Sequence, residues 1–338
     1  PDAPAIVMGS PEWLPHRITQ RGTMVEFVRL SRDARRRIPF IDSRYVDPGV
    51  PRLELPISAL PPAATLAAGD CHFIFHSAFC CSTLLGRALE REGVAAVLQE
   101  PQILADFSVL LAAAEGASDR HSELDAVLAL MQRPHRPGEV TILKLSNSAN
   151  SLIEPLLALR PRASAIIMYA PLPLYLLKIA LGGTTRRKWV RSTAGLLKRH
   201  GQCVASPAPD LSLLTDLEAA AYLWLEQQGH FARLLGGRYA ERFAVVEASD
   251  LLDAPGPTLR KVWDLFGLHI DDDMLSEIVG GPAFAQEAKV PGEKFDPAAR
   301  RMNEAAAKFA YGAEIEAALD WAHGFAERAG IPLRLRST

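Results

Sequence analysis

Long apolar runs are missing from this sequence. No stretch of about 18 or more consecutive apolar residues occurs, so no segment is predicted to span a membrane. The amino terminus lacks the basic-then-apolar pattern of a secretory signal, which predicts a cytoplasmic protein. A net charge of −2 provides no overall positive field, and this argues against nucleic acid as a partner.

Cysteine is scarce as well. The four cysteines form no CxxC pair, and the adjacent Cys80 and Cys81 rarely bridge each other. The pattern predicts a reduced protein, and the lack of clustered histidines predicts no metal site. What is present is a chain of 338 residues, 49% hydrophobic and 22% charged, which is long enough for one sizeable core.

The first 65 residues differ in character from the remainder. They mix aromatic and basic residues, including Trp13 and the run Arg32–Arg37, and a proline-rich stretch follows from Pro48 to Pro62. We predict that this stretch is an extended surface linker. Because the segment is too short for a large core, we predict an N-terminal appendage and linker over residues 1–65, packed on an α/β domain over residues 66–335.

Beyond residue 68, short apolar runs alternate with helical patterns. Continuous apolar strands separated by helices predict a P-loop-type three-layer sandwich, with a central parallel sheet of about five strands and helices on both faces. In such sheets ligands bind at the carboxyl ends of the strands. The predicted strands are 71–76, 94–98, 140–145, 163–169 and 243–247. The predicted helices are 82–90, 105–131 with a break near 116–118, 149–159, 172–181, 211–235, 251–266 and 297–329.

The loop after the first strand leads into a helix that opens with two hydroxyl residues. Backbone N–H groups at a helix start lack internal partners, and the helix dipole adds positive potential, so phosphate or sulfate oxygens suit this position. An ordinary strand–helix turn with a Ser or Thr cap is the alternative. The loop lacks the glycine and lysine of GxxxxGK[ST], which argues against a Mg-ATP hydrolase. The candidate residues are Ser77, Ala78, Phe79, Cys80, Cys81, Ser82, Thr83 and Leu84.

At this loop the chain resembles the sulfotransferase superfamily, in particular bacterial members and the tyrosylprotein sulfotransferases. Their loop is Arg-Ser-Gly-Thr-Thr-Leu-Leu, and here Phe79 falls on the arginine and the run 80–85 on the rest. The resemblance extends patchily from Cys71 to Phe295. It implies the donor 3′-phosphoadenosine 5′-phosphosulfate (PAPS), whose desulfonated product is PAP, with the loop binding the 5′-phosphosulfate.

Two strand-end residues extend the resemblance. Glu100 follows the second strand, where tyrosylprotein sulfotransferases carry a catalytic glutamate, and Lys144 ends the third, where they carry a lysine that contacts the transferring group. Residues 247–252 are similar to the family's late Tyr-Glu-Asp-Leu segment. The resemblance implies that Glu100 is the general base for a hydroxyl or amine acceptor and that Lys144 stabilises the transferring group.

Each of these residues also has a structural interpretation. We expect partial burial to raise the pKa of Glu100 and make it a better base, whereas a surface glutamate before Pro101 would merely cap a turn. Lys144 could be a salt-bridged lysine whose stem lines the sheet. His76, at the end of the first strand, is a third catalytic candidate, although a hydrogen-bonded structural histidine also fits.

The family pattern fails after the fourth strand. There the family has an Arg-Asp-Pro-like segment and a downstream serine that bind the donor's 3′-phosphate, and residues 169–175 contain neither. Arg186 and Arg187 are candidate replacements, although a solvated helix face explains their basic stretch equally well. Lys289 is a further candidate, similar in place to a late basic loop that closes over the nucleotide.

Three functions therefore remain open. The first is a PAPS-dependent sulfotransferase acting on an unknown small molecule or peptide. The second is a kinase or other transferase whose donor, such as ATP or GTP, has no 3′-phosphate, as the missing arginine and serine suggest. The third is a non-catalytic nucleotide-binding or scaffold protein, because Phe79 and Cys81 replace the arginine and glycine of the loop. A homo-oligomer is compatible with each.

Overall fold

The computed structural model describes residues 3–113, 118–199, 203–205, 207–289, 293 and 297–336. The fold is mixed α/β. Its strands are β1 Trp13–Thr19, β2 Met24–Arg29, β3 Arg52–Pro56, β4 Cys71–His76, β5 Ala95–Gln99, β6 Val140–Lys144, β7 Ala165–Tyr169 and β8 Phe243–Glu247. Its helices are α1 Ala3–Met8, α2 Arg32–Arg37, α3 Ser82–Leu89, α4 Gln102–Ala113, α5 Ser118–Met131, α6 Ile153–Leu159, α7 Leu172–Leu181, α8 Gly183–Arg199, α9 Asp216–Leu235, α10 Ala248–Asp253, α11 Pro255–Leu265, α12 Asp272–Gly280, α13 Pro282–Ala285 and α14 Pro297–Ala329.

The central sheet is parallel and five-stranded, in the order β5-β6-β4-β7-β8, which confirms the predicted fold class. Strands β4, β5 and β7 are buried along their whole length, as their continuous apolar sequences require. Strand β6 pairs in parallel with both β4 and β5, so that Leu143 lies opposite Phe73 on one side and Leu98 on the other. The carboxyl ends of these three strands therefore lie along one edge.

The N-terminal segment forms a separate antiparallel sheet in the order β1-β2-β3. Strand β3 lies within the proline-rich stretch, where Leu53 pairs with Phe27 of β2, so the linker prediction is wrong over these residues. The pattern permits a strand because Pro51 precedes it and Pro56 ends it, and proline at a strand end removes no interior ladder bond. The domain boundary near residue 65 stays a prediction.

Helix boundaries differ from the sequence patterns where capping decides them. The helix predicted from residue 211 begins at Asp216, because the hydroxyl of Thr215 accepts a hydrogen bond from the backbone N–H of Glu218 at 3.2 Å. The carboxylate of Glu218 in turn accepts from the backbone N–H of Thr215 at 2.7 Å, which completes a capping box. The predicted segment 105–131 is two helices, α4 and α5.

The chain divides into two compact units. Unit 1 comprises residues 1–76, 82–166 and 254–294, and unit 2 comprises residues 77–81, 167–253 and 295–338. Within unit 1, the carboxylate of Asp106 on α4 accepts a hydrogen bond from the backbone N–H of Ile18 on β1 at 2.8 Å. This bond joins the N-terminal sheet to the helical layer of the same unit.

Within unit 2, α9 is the central helix. Its side chains are buried on almost every face, and the indole Nε1 of Trp224 donates to the carbonyl of Ala170 at 2.9 Å. Tyr222 and Trp224 are fully buried and belong to the core of this unit. Among the described residues, no helix combines the length and the apolar character needed to cross a lipid bilayer.

Candidate functional site

Three neighbouring strand ends of unit 1 bring His76, Glu100 and Lys144 together. His76 ends β4, Lys144 ends β6, and Glu100 follows β5. The backbone N–H of Glu100 donates to the carbonyl of Lys144 at 2.7 Å, which fixes the end of one strand against the next. The ammonium of Lys144 is hydrogen-bonded to the carboxylate of Glu100, and His76 Nε2 lies 3.5 Å from Glu100 Oε1.

The acidity of Glu100 is opposite to the sequence-based expectation. Burial alone would raise the pKa of this carboxyl group, but the charge of Lys144 and the hydrogen bond from His76 outweigh burial and lower the pKa to about 2. The expectation of a raised pKa is therefore wrong, because it took no account of a fully buried ammonium as neighbour. Glu100 is ionised at neutral pH and, while paired, is a weak base.

His76 is a neutral imidazole at pH 7. Burial and the charge of Lys144 lower its pKa to about 4, although Glu100 opposes both effects. The side-chain amide of Asn150 donates to the carbonyl of His76 at 3.1 Å, which anchors the end of β4. Because His76 is neutral, the buried ion pair of Glu100 and Lys144 carries the charges beside it.

An aromatic residue that sequence reasoning missed completes the cluster. The ring of Phe40 is buried, and its centroid lies 5.0 Å from the ammonium of Lys144 and 5.4 Å from that of Lys289. The Phe40 segment is held against the end of β5, since the backbone N–H of Ile41 donates to the carbonyl of Gln99 at 2.7 Å. No sequence motif indicates this contact, because Phe40 is about 60 and 100 residues from Gln99 and Lys144 in the chain.

The cluster brings two ammonium groups to one ring. Lys144 and Lys289 both lie near Phe40, and the ammonium of Lys144 is bonded to the carboxylate of Glu100. Among the predicted phosphate ligands, Lys289 is thus brought to the same aromatic ring as the predicted catalytic lysine. Lys144 is fully buried, so its charge is screened less than in water, whereas Lys289 is exposed.

Helix α3 begins with the predicted hydroxyl pair. Ser82, Thr83 and Leu84 are buried in its first turn. The side-chain amide of Gln99 on β5 donates to the carbonyl of Thr83 at 3.3 Å and lies directly over Gly86, where a Cβ atom would approach its Nε2 to 2.3 Å. Gly86 therefore permits the close approach of Gln99 that fixes α3 against β5.

The loop 77–81, in unit 2, has an unusual backbone. Ala78, Phe79 and Cys81 have positive φ angles of 68°, 52° and 64°, a region that favours glycine. The loop is held by two hydrogen bonds: the backbone N–H of Ser77 donates to the carbonyl of Met168 at 3.0 Å, and the amide of Gln227 donates to the carbonyl of Ser77 at 3.3 Å. Backbone strain of this kind occurs preferentially at functional sites.

Phe79 and Arg186 lie together in unit 2. The guanidinium of Arg186 is 5.0 Å from the ring centroid of Phe79, which also makes an edge contact with Trp189 at 5.3 Å. Burial lowers the pKa of Arg186, and its side chain bonds the carbonyl of Lys178. The structure therefore places one predicted phosphate ligand against the loop residue that replaces the family's arginine.

Arg187, the next residue, lies in a different environment. Its guanidinium donates to both carboxylate oxygens of Glu314, at 2.9 and 3.2 Å, and Asp216 lies 3.7 Å away. The hydrogen bonds that Arg187 donates to Glu314 raise the pKa of Arg187. The positive charge of Arg187 is paired with carboxylates of unit 2, so the geometry does not favour Arg187 as a phosphate ligand.

No protein-family model and no curated protein matches the sequence. Among solved structures, the chain aligns with a sulfotransferase from Alicyclobacillus acidocaldarius, at 17% identity and a TM-score of 0.37, over 63% of this chain and 91% of that one. It also aligns with sulfotransferase STF9 from Mycobacterium avium, at 12% identity and a TM-score of 0.42, over 73% and 78% of the two chains. A third is mouse sulfotransferase SULT7A1, complexed with PAP, at 11% identity and a TM-score of 0.33, over 66% and 67%.

These structures belong to the family that the sequence resembles. Their identities and TM-scores are too low to transfer any residue role.

Proposed function

We propose that this chain is a sulfotransferase that moves a sulfuryl group from PAPS to a hydroxyl or amine acceptor. The observation that carries the proposal is the buried ion pair of Glu100 and Lys144 at adjacent strand ends, with His76 beside it. Sulfuryl transfer requires an acceptor base and a positive charge near the bridging oxygen, held in line with each other. This cluster contains both groups.

The strong pairing of Glu100 with Lys144 supports a switch between two hydrogen-bonding states. When Lys144 turns its ammonium toward a donor oxygen, Glu100 loses the partner that lowers its pKa, and burial then raises that pKa. Glu100 thereby becomes a competent base when the anionic donor is in place. The acceptor oxygen or nitrogen forms its bond to sulfur, the bond from sulfur to the bridging oxygen breaks, the acceptor proton moves to Glu100, and the departing phosphate oxygen retains the electron pair.

The remaining predicted ligands are assigned to different phosphate groups of the donor. The N–H groups of residues 78–81 and the start of α3 would bind the 5′-phosphosulfate, as positive φ angles and a helix N-terminus suit an anion. Lys289 in unit 1 is a candidate ligand of the 3′-phosphate, and Arg186 in unit 2 is the alternative. The side chain of Lys289 is exposed and lies over the ring of Phe40, and both observations support this role.

A kinase-like transferase that uses ATP or GTP is the second candidate. One specific observation favours it: residues 169–175, where the family binds the 3′-phosphate, offer no arginine, and the hydroxyl of Tyr169 donates to Glu247 at 3.0 Å. A donor without a 3′-phosphate would need no ligand there. Nucleotide preference separates the two candidates.

A turnover assay tests the proposal. The full chain is incubated with labelled PAPS and a panel of phenols, alcohols, amines and tyrosine peptides, and PAP formation is measured. We expect acceptor-dependent turnover that falls by about 10²–10⁴-fold in Glu100→Gln, because the proton acceptor is lost, and by about 10²–10³-fold in Lys144→Met, because charge stabilisation is lost.

The matched control is Glu26→Gln, which removes a carboxylate paired with Arg52 in the N-terminal sheet. This variant should retain the activity of the unaltered chain. Turnover that is equal in Glu100→Gln and in Glu26→Gln contradicts the assigned role. Turnover with ATP or GTP but not with PAPS supports the second candidate instead.

A further inference from the structure

A cavity of about 330 Å³ lies within unit 1, between the last turn of α3, strand β5 and the helices α2, α12 and α13. Three of its lining side chains carry buried polar atoms without a hydrogen-bond partner in the described part of the chain. These atoms are Oε1 of Gln99, Nε of Arg35 and Nη2 of Arg87. Gln99 and Arg35 are only 7% and 8% exposed, so bulk water does not satisfy them.

The charges that line the cavity are not balanced. Four arginines line it, at positions 35, 36, 87 and 91, against two glutamates, at positions 90 and 277, which leaves a net charge of 4 − 2 = +2. The glutamates are already engaged: Glu90 accepts from Arg36 at 3.0 Å, and Glu277 accepts from Arg91 at 2.9 Å.

Arg35 and Arg87 are therefore the two guanidinium groups that require a counter-ion. Neither has an ion pair with any described carboxylate; Nη2 of Arg35 is hydrogen-bonded to Nε2 of His135, and its Nε has no partner among the described residues. Burial lowers the pKa of Arg35 to about 10, and it also lowers the pKa of Arg87. A buried charge without a counter-ion is unfavourable, and the guanidinium fork matches the oxygens of a phosphate.

The amide oxygen of Gln99 adds a second requirement. Its Nε2 donates to the carbonyl of Thr83, which directs Oε1 as an acceptor. Only a hydrogen-bond donor can satisfy that oxygen, and a fully deprotonated anion has none. The ligand must therefore combine negative charge with a hydroxyl group.

We propose that this cavity binds a small phosphate monoester that carries a free hydroxyl group. Its phosphate oxygens accept hydrogen bonds from Arg35 and Arg87, and its hydroxyl donates to Gln99 Oε1. The volume is that of a small-ligand pocket. The site is separate from the proposed donor chemistry, since none of its ligating groups belongs to the cluster of His76, Glu100 and Lys144.

Calorimetry with glycerol 3-phosphate tests the proposal on the full chain. We expect saturable binding to one site, weaker binding of propyl phosphate, which has no hydroxyl, and weaker binding of sulfate. Arg87→Met should reduce the affinity by about 10-fold or more, because a charge-assisted hydrogen bond is lost. Arg91→Met, which removes a cavity arginine already paired with Glu277, should change the affinity by less than about 3-fold.

Thermal unfolding provides a second measurement. Arg87→Met should unfold at the same temperature as the unaltered chain or higher, since an uncompensated charge is removed, and glycerol 3-phosphate should no longer stabilise it. Glu100→Gln should bind glycerol 3-phosphate normally, which separates this site from the proposed transfer reaction. The proposal is overturned by no saturable heat at about 10 mM glycerol 3-phosphate, or by equal binding to Arg87→Met and Arg91→Met.

Discussion

Glu100 and Lys144 stabilise each other in a place where neither charge would be tolerated alone. Lys144 is fully buried, and its ammonium bonds the carboxylate of Glu100. Removal of one partner from such a pair leaves an unpaired buried charge, which costs about 3–5 kcal/mol, whereas replacement of both partners is much less costly. The pair is therefore strongly coupled in stability as well as in the proposed chemistry.

A double-mutant cycle measures that coupling. We expect Lys144→Met and Glu100→Gln each to lower the free energy of unfolding at pH 7, and the double variant to lose clearly less than the sum of the two. Urea unfolding of the four proteins provides the values. Losses that simply add would show that the two side chains are not paired.

Phe40 is the residue that holds two ammonium groups at one ring. Leucine fills much of the same volume but offers no π face, so Phe40→Leu should cost about 1 kcal/mol more than an equivalent change without cation contacts. Phe107→Leu is the matched control, because Phe107 is fully buried in the same unit. Equal losses of unfolding free energy in the two variants would show that the cation contacts of Phe40 do not contribute to stability.

At the scale of elements, the loop 77–81 has a glycine-like backbone built without glycine. Ala78 and Ala88 are similarly buried, at 8% and 3% exposed, but Ala78 has a φ of 68° whereas Ala88 lies within α3. Ala88→Gly should lower the free energy of unfolding by about 1 kcal/mol, since glycine is a poor helix former. Ala78→Gly should be neutral or stabilising, because it relieves a left-handed conformation.

Chemical denaturation of Ala78→Gly and Ala88→Gly compares the two elements directly. A larger loss in Ala78→Gly than in Ala88→Gly would contradict the assigned backbone conformation. The loop matters for the proposed function because its N–H groups are the proposed ligands of the donor's 5′-phosphosulfate.

The elements that the sequence predicted well are those whose burial is uniform. Strands β4, β5 and β7 are continuous apolar runs because both faces are covered, so their composition alone indicates them. Strand β3 was missed because prolines surround it. Glu100 and Lys144 could be predicted as site residues from their positions at strand ends and from the family resemblance. Phe40, and the lowered pKa of Glu100, depend on contacts between distant parts of the chain that no local pattern reports.

At the scale of the whole molecule, buried neutral histidines link stability to pH. Burial lowers the pKa of His16, His72 and His76 to about 4, and Nδ1 of His72 accepts a hydrogen bond from the backbone N–H of Ser164 at 3.2 Å, as only a neutral ring can. The unfolded chain, with ordinary histidine pKa values near 6.5, then binds more protons than the folded chain between pH 6.5 and 4.

Stability should therefore fall as the pH is lowered through this window, by about 2 kcal/mol per histidine between pH 7 and pH 5. Urea unfolding at a series of pH values checks this expectation. His72→Asn keeps an acceptor for Ser164 without a titrating group, so its pH dependence should be shallower. A midpoint that is constant from pH 7 to pH 5 would contradict the neutral, buried state of these rings.

The central proposal is that the cluster of His76, Glu100 and Lys144 acts on a bound sulfuryl donor. Calorimetric titration of the full chain with PAP, beside parallel titrations with ATP and GTP in the presence of Mg²⁺, tests it most directly. The account predicts saturable binding of PAP, weakened by about 10-fold or more in Lys144→Met through loss of a charge-assisted contact. Binding of a triphosphate with no heat from PAP at about 1 mM would contradict it.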